Sequence, residues 1–249
     1  MTLTYQTIDG ESVDRVAVSI ARLREFEPPE GYYVAFSGGK DSIVTLDMVQ
    51  RSGVTYDAHM SLTTVDPPEV VAFVREHYPE VALEKPPRSM FRLIEEKRMP
   101  PTRLIRYCCA ELKERGGAGR YVVTGIRWAE SNKRRQRRMV EVCQADKTKT
   151  FVHPIIDWST AQVWRHIRDT QLPYPSPYDE GYTRIGCIMC PMQGTKGMRK
   201  DAERYPRHYQ AYLRAFGRML DAMRARDQTI KLDWKTPEDV MKWWIGGGL

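Results

Sequence analysis

Long apolar runs are missing from this 249-residue chain, and no stretch approaches the roughly 18 residues of a membrane span. A membrane-embedded class and a membrane partner are therefore set aside. The start, Met1-Thr2-Leu3-Thr4-Tyr5-Gln6, lacks the basic residues and apolar core of a secretory leader, so a cytoplasmic location is expected. Cysteine is scarce, at five residues. An odd count, placed as one adjacent pair and one C-x-x-C, suits metal ligation in a reducing compartment better than a disulfide framework. Internal repeats and low-complexity tracts are absent, as is the Walker spacing of four residues between Gly and Gly-Lys-Ser/Thr. The length suffices for one large domain, or for one domain with a small appendage, around a sizeable core.

Ser37-Gly38-Gly39-Lys40-Asp41-Ser42 follows the apolar run Tyr32 to Phe36 and opens Ile43-Val44-Thr45-Leu46-Asp47-Met48-Val49. This order predicts strand, phosphate loop and helix. Two glycines let the backbone turn and approach a ligand, and the first helix amides and the dipole favour an anion there. Lys40 adds a point charge, while Ser37 and Ser42 add hydroxyl donors. Asp41 caps the helix or faces a metal bound to pyrophosphate.

Strands and helices alternate along the first two thirds: strands near 55–60, 81–84, 121–124 and 151–156, and helices from Pro67, over Met90 to Lys97, and around Val163, Trp164 and Ile167, the last capped by Asp157 or Ser159. The pattern predicts an α/β fold, a twisted parallel sheet with helices on both faces. Ligands of such sheets sit beyond the carboxyl ends of the strands. Ser37 to Ser42, Ser61 to Asp66, Gly125 to Arg127 and Asp157 are accordingly the expected rim of the site. From His208 onward Tyr209, Tyr212, Leu213, Phe216, Met219, Leu220 and Met223 recur at helical spacing, and a short helix is expected over Lys235 to Trp244. We expect a nucleotide-binding domain carrying the cysteines over residues 1–195 and a helical extension packed on it over 196–249.

The net charge is +7, and the densest basic run is Lys133-Arg134-Arg135-Gln136-Arg137-Arg138. It has no interleaved aromatics of the kind that stack bases. Lys133, Arg134, Arg135, Arg137 and Arg138 either form a solvated face, contact tRNA or DNA phosphates, or aim at the phosphates of a small nucleotide. Charge alone does not separate these readings.

Cys108 and Cys109 are adjacent, and Cys187 and Cys190 form a C-x-x-C followed by Pro191. Four thiolates are what a structural zinc or a [4Fe-4S] cube requires. Adjacent cysteines point in different directions, which suits a cube with separate iron corners better than a single ion. Cys143 belongs to neither motif.

The glycine loop resembles the PP-loop of the adenine-nucleotide alpha-hydrolase superfamily. With the cysteine pair, Thr124-Gly125-Ile126-Arg127 followed by Glu130-Ser131, Pro154 to Trp158, and Tyr178-Asp179-Glu180-Gly181 before Cys187-x-x-Cys190, the chain is similar to the phosphoadenosine phosphosulfate reductase family over about residues 30 to 195. The resemblance implies a Rossmann-like fold. It also implies phosphates held by Ser37, Gly38, Gly39, Lys40, Asp41 and Ser42, an adenosine framed by Gly125 and the backbone near Met60 to Leu62, and Arg127 at the phosphate end. A cluster would be held by Cys108, Cys109, Cys187 and Cys190.

Three features depart from that family. No cysteine follows Cys190, where the reductases place their attacking thiol; Thr63-Thr64-Val65-Asp66 stands where they carry Asp-Thr-Gly; and Leu112-Lys113 replaces the Arg-Lys after the cysteine pair. The expectation is a divergent member that binds ATP or another adenine nucleotide beside a [4Fe-4S] cluster, zinc being the alternative. Its chemistry would be nucleotidyl transfer with magnesium, with Lys40 and Asp41 as the catalytic groups. An acceptor in tRNA or DNA thiolation, served by a sulfur donor or protein partner, is one form, and an accessory role beside a mobile-element or defence system is another. The alternatives are a sulfonucleotide reductase using Cys143 and a non-catalytic nucleotide-sensing subunit.

Overall fold

The computed structural model describes residues 3–6, 12–225 and 234–248. In chain order the elements are β1 (Thr4–Gln6), β2 (Ser12–Asp14), α1 (Arg15–Glu25), β3 (Tyr32–Ala35), α2 (Lys40–Ser52), β4 (Tyr56–Ser61), α3 (Pro68–His77), β5 (Ala82–Glu84), α4 (Met90–Lys97) and α5 (Tyr107–Leu112). There follow β6 (Tyr121–Val123), α6 (Asn132–Arg135), β7 (Val140–Val142), β8 (Thr150–Val152), α7 (Thr160–Asp169), α8 (Gly194–Arg204), α9 (Pro206–Arg224) and α10 (Pro237–Ile245). By their contacts the residues form two units. One comprises residues 1–61, 68–84 and 116–185, and the other 62–67, 85–115 and 186–249. The second unit thus draws on residues 62–67, 85–115 and 186–195, all inside the span the sequence assigns to the nucleotide domain.

The first unit holds a six-stranded sheet in the order β5-β4-β3-β6-β8-β7, and a separate antiparallel pair, β1 with β2. All pairings in the large sheet are parallel except that of β7 with β8. Tyr32, Tyr33 and Val34 of β3 are all buried, as an interior parallel strand covered on both faces requires. α2 is buried around nearly its whole circumference, from Lys40 and Ser42 through Val49, which explains its largely apolar sequence. Its buried acid Asp47 meets His166 of α7 at 2.7 Å and Arg51 at 2.7 Å. These partners hold the Asp47 carboxyl below its usual range against the opposing effect of burial.

β4 and β6 flank β3 on opposite sides, so the chain reverses its direction of travel across the sheet at β3. The crevice beyond the ends of β3 and β6 is therefore the switch point where open α/β sheets bind ligands.

Two expectations are corrected here. The strand expected over Phe151 to Ile156 ends at Val152, and the chain then turns through Pro154 to Trp158 with Ile155, Ile156 and Trp158 buried. Asp157 does not cap α7. Its carboxylate is taken by Arg15 and Arg22 of α1, and Ser159 caps α7 in a capping box with Gln162.

The second unit is helical. Leu93 and Ile94 of α4, Phe216 and Met219 of α9, and Val240 and Trp244 of α10 share one buried core with Val65, Ile188 and Met189. The Trp244 ring lies 4.8 Å from that of Tyr212, tilted by 50°, and its indole N–H donates to Pro101 O at 2.6 Å. Thr236 and Asp239 form the capping box that starts α10.

Candidate functional site

In the first unit, the turn from β3 to α2 depends on Gly38 at φ +69°, and a Cβ there would meet Val70 and Val74 of α3 at 2.9 Å. Gly39 is the N-cap of α2 and supplies no side-chain cap, so Asp41 does not cap the helix. Ser42 Oγ donates to Gly39 O at 2.8 Å and accepts from Ser37 N at 3.2 Å and Ser37 Oγ at 3.1 Å, which closes the loop on itself.

Lys40, only 5% exposed, sends its ammonium to Asp41 Oδ2 at 3.1 Å and Thr183 O at 3.2 Å, and lies 5.5 Å from the Tyr178 ring centre. The Tyr178 hydroxyl accepts from Lys40 N, the first amide of α2, at 3.0 Å. Burial keeps the Tyr178 phenol protonated far above its ordinary range. Its oxygen accepts from the helix start, an anion-binding position, and the protonated hydroxyl keeps a proton to donate.

The neighbouring strand brings a second cation. After β6 the chain passes Gly125, where a Cβ would stand 2.8 Å from Asp41 O and 3.0 Å from Thr45 Oγ1, so only glycine lets the two backbones approach. Arg127, 1% exposed, then donates from Nε to Asp41 Oδ1 at 2.7 Å and from Nη1 to Trp158 O at 3.0 Å. Both oxygens of Asp41 are thereby held by cations, and Ser37, Gly38, Gly39, Lys40, Asp41, Ser42, Gly125 and Arg127 form one neighbourhood. Such a frame of amides, hydroxyls, ammonium and guanidinium is suited to phosphate.

The basic run is divided by its neighbours. Arg134 pairs with Glu130 and Arg137 with Glu141, while Lys133, Arg135 and Arg138 are exposed.

The second unit gathers the four thiols. Cys108 and Cys109 lie in α5, and the turn through Cys187 and Cys190 is fixed by Ile188 N to Val65 O at 2.8 Å and Met189 N to Asp201 Oδ2 at 2.7 Å. Hydrogen bonding from Cys108 draws the Cys109 thiol down to about 5, helped by Arg106, whose guanidinium reaches its sulfur at 3.4 Å. Cys108 is pushed up in turn by that hydrogen bond and by burial, with further upward contributions from Cys187 and Cys190. Lys113 is held protonated chiefly by Cys187. An all-thiol set of this kind fits zinc or iron–sulfur chemistry. Among the described residues no three His, Cys, Asp or Glu side chains stand in metal-holding geometry.

A model of the phosphoadenosine phosphosulfate reductase domain matches residues 31–193. The chain belongs to this family. The reductase-domain chain is 28% identical over 193 residues to an uncharacterised protein of Methanocaldococcus jannaschii, covering 72% of itself and 40% of that longer protein. It is 26% identical over 211 residues to an adenosine 5'-phosphosulfate reductase of Staphylococcus haemolyticus, covering 76% of itself and 86% of the relative. Its fold is similar to that of phosphoadenylyl-sulfate reductase from Candida auris, solved as a phosphate complex, with a TM-score of 0.53 and 22% identity over 68% of this chain and 87% of the other.

Tyr178 and Thr183 were not singled out from the sequence as contacts of the phosphate loop. Their bonds run from a hydroxyl to a backbone amide and from a backbone carbonyl to Lys40 across more than 130 residues, so no local pattern announces them.

Proposed function

We propose that the chain binds ATP through the glycine loop and catalyses nucleotidyl transfer, cleaving between the alpha and beta phosphates while an acceptor takes the adenylyl group. The observation that carries this reading is the pairing of Lys40 and Arg127 on the two oxygens of Asp41 at the start of α2, beside glycines that admit a phosphate to the backbone. A phosphate entering there competes with Asp41 for two preorganised cations. Lys40, Ser37, Ser42 and the loop amides then stabilise the charge that develops on departing pyrophosphate. Tyr178 offers its phenolic proton to a phosphate oxygen. Magnesium, if bound with the nucleotide, would supply further charge neutralisation.

In the second unit, Cys108, Cys109, Cys187 and Cys190 would hold a [4Fe-4S] cluster or zinc. A cluster supplies electrons or a sulfur-handling centre, and zinc a structural tie. Arg106 and Lys113 offset the negative charge of such a thiolate set.

The second reading is sulfonucleotide reduction, favoured by the reductase relatives. It requires a thiol to attack sulfur. Outside the four grouped cysteines the chain has Cys143, whose N–H is bonded to Lys149 O in the β7–β8 hairpin.

Alpha-labelled ATP incubated with the protein, with and without polynucleotide, should yield AMP or an adenylylated acceptor. Sulfite release from adenosine phosphosulfate under thiol reductant, with no ATP turnover, would replace the first reading by the second.

A further inference from the structure

Trp128 follows the buried Arg127 directly, yet it is 39% exposed, high for a residue whose large apolar surface favours burial. It is held in place from two sides. Its backbone N–H donates to Ile156 O at 2.7 Å, and its indole N–H donates to Arg137 O at 2.8 Å. The second bond fixes the ring against the basic run, supplying the aromatic that the run itself lacks.

The charges around it are sorted. Arg134 and Arg137 are neutralised by Glu130 and Glu141, whereas Lys133, Arg135 and Arg138 are exposed and, among the described residues, enter no ion pair. Held aromatics with unspent cations on the same short segment make a platform for bases and phosphates.

We propose that this surface binds an unpaired stretch of polynucleotide, one base stacking on Trp128 while Lys133, Arg135 and Arg138 neutralise phosphates. A duplex keeps its base faces stacked internally and cannot offer them to the ring, so the ligand is single-stranded RNA or DNA, or a loop. The inference rests on the ATP reading only in naming its acceptor, and it is tested apart from it.

The test uses the full chain and fluorescence anisotropy with labelled 12-nucleotide RNA, the same sequence as DNA, and its duplex, at several salt concentrations. ATP binding is measured in parallel. Trp128→Ala should weaken binding of the single strands by about 5- to 150-fold, as expected for loss of one stacked base, with ATP affinity unchanged. Trp128→Phe should retain most of the affinity. Joint replacement of Lys133, Arg135 and Arg138 by alanine should flatten the slope of log affinity against log salt by about 2. Preference for RNA or DNA identifies the natural source. Unchanged strand affinity in Trp128→Ala, equal binding of duplex, or no polynucleotide binding at low salt overturns the proposal. If Trp128→Ala fails to fold, an unchanged salt slope in the triple variant overturns it instead. ATP binding without strand binding sinks this inference alone, and strand binding without ATP binding sinks the nucleotidyl-transfer reading alone.

Discussion

Arg127 Nε donates to Asp41 Oδ1 at 2.7 Å across 86 positions of sequence. This bond ties the loop after β6 to the first turn of α2, at the place where Gly125 lets the two backbones approach. The guanidinium also serves Trp158 O, so one buried side chain joins three segments around the phosphate loop.

Arg127→Ala should therefore cost stability as well as affinity. It leaves Asp41 with one cation and a buried carbonyl without its donor, a loss of about 3 kcal/mol. Arg127→Lys keeps the charge but not the fork, and should recover only part of it. Thermal denaturation and ATP titration of both variants check this.

Gly125→Ala acts by contact alone. The added methyl stands 2.8 Å from a backbone oxygen, which no rotamer change relieves, so β6 and α2 must separate. A stability loss of about 1 to 3 kcal/mol and weakened ATP binding are expected. An alanine variant with unaltered denaturant midpoint and affinity would show that the approach is slack.

Lys40→Ala should weaken ATP binding by about 1.5 to 3 kcal/mol, roughly 10- to 150-fold, because one charge-assisted contact is lost. Calorimetry reads the affinity and circular dichroism the retained fold. Equal affinity in wild type and variant would remove Lys40 from the site.

Acid should destabilise the first unit through His153. The ring is fully buried, between Thr124 Oγ1 at 2.7 Å and Glu141 at 3.4 Å, and burial depresses its pKa to about 4 despite the opposing pull of Glu141. Above the unfolded value near 6.5 the ring is neutral in both states. As pH falls from 6.5 towards 4 the unfolded chain takes up the proton first, so stability declines by about 2 kcal/mol by pH 5. His153→Gln should reduce that slope in melts recorded at pH 5 and pH 7.5.

Anaerobically purified protein should be brown and contain iron and acid-labile sulfide in near-equal amounts. Cys187→Ser or Cys190→Ser should lose both, and Cys143→Ser neither. Zinc without sulfide would make the site structural, and four free thiols without metal would refute the grouping.

Much of the sheet was legible because its strands are short apolar runs bounded by turn residues, and because the Gly38-Gly39 turn sits between an apolar strand and an apolar helix. β7 was not: Val140-Glu141-Val142 is too short and too polar to stand out beside the basic run. α8 escaped because its 11 residues bury only Met198 and Asp201. The ion pairs of Asp157 were not legible because α1, which supplies Arg15 and Arg22, was itself unforeseen. The loop residues and the four cysteines were readable as motifs, whereas Tyr178 and Trp128 are placed by hydrogen bonds to backbone elsewhere in the chain.

The helical unit is stitched from separate stretches of chain, and this orders events during synthesis. Cys108 and Cys109 leave the ribosome well before Cys187 and Cys190, and at roughly 5 to 20 residues per second the interval lasts several seconds. Throughout it the vicinal thiols wait without their partners, so any metallation of the whole set is necessarily a late step in maturation.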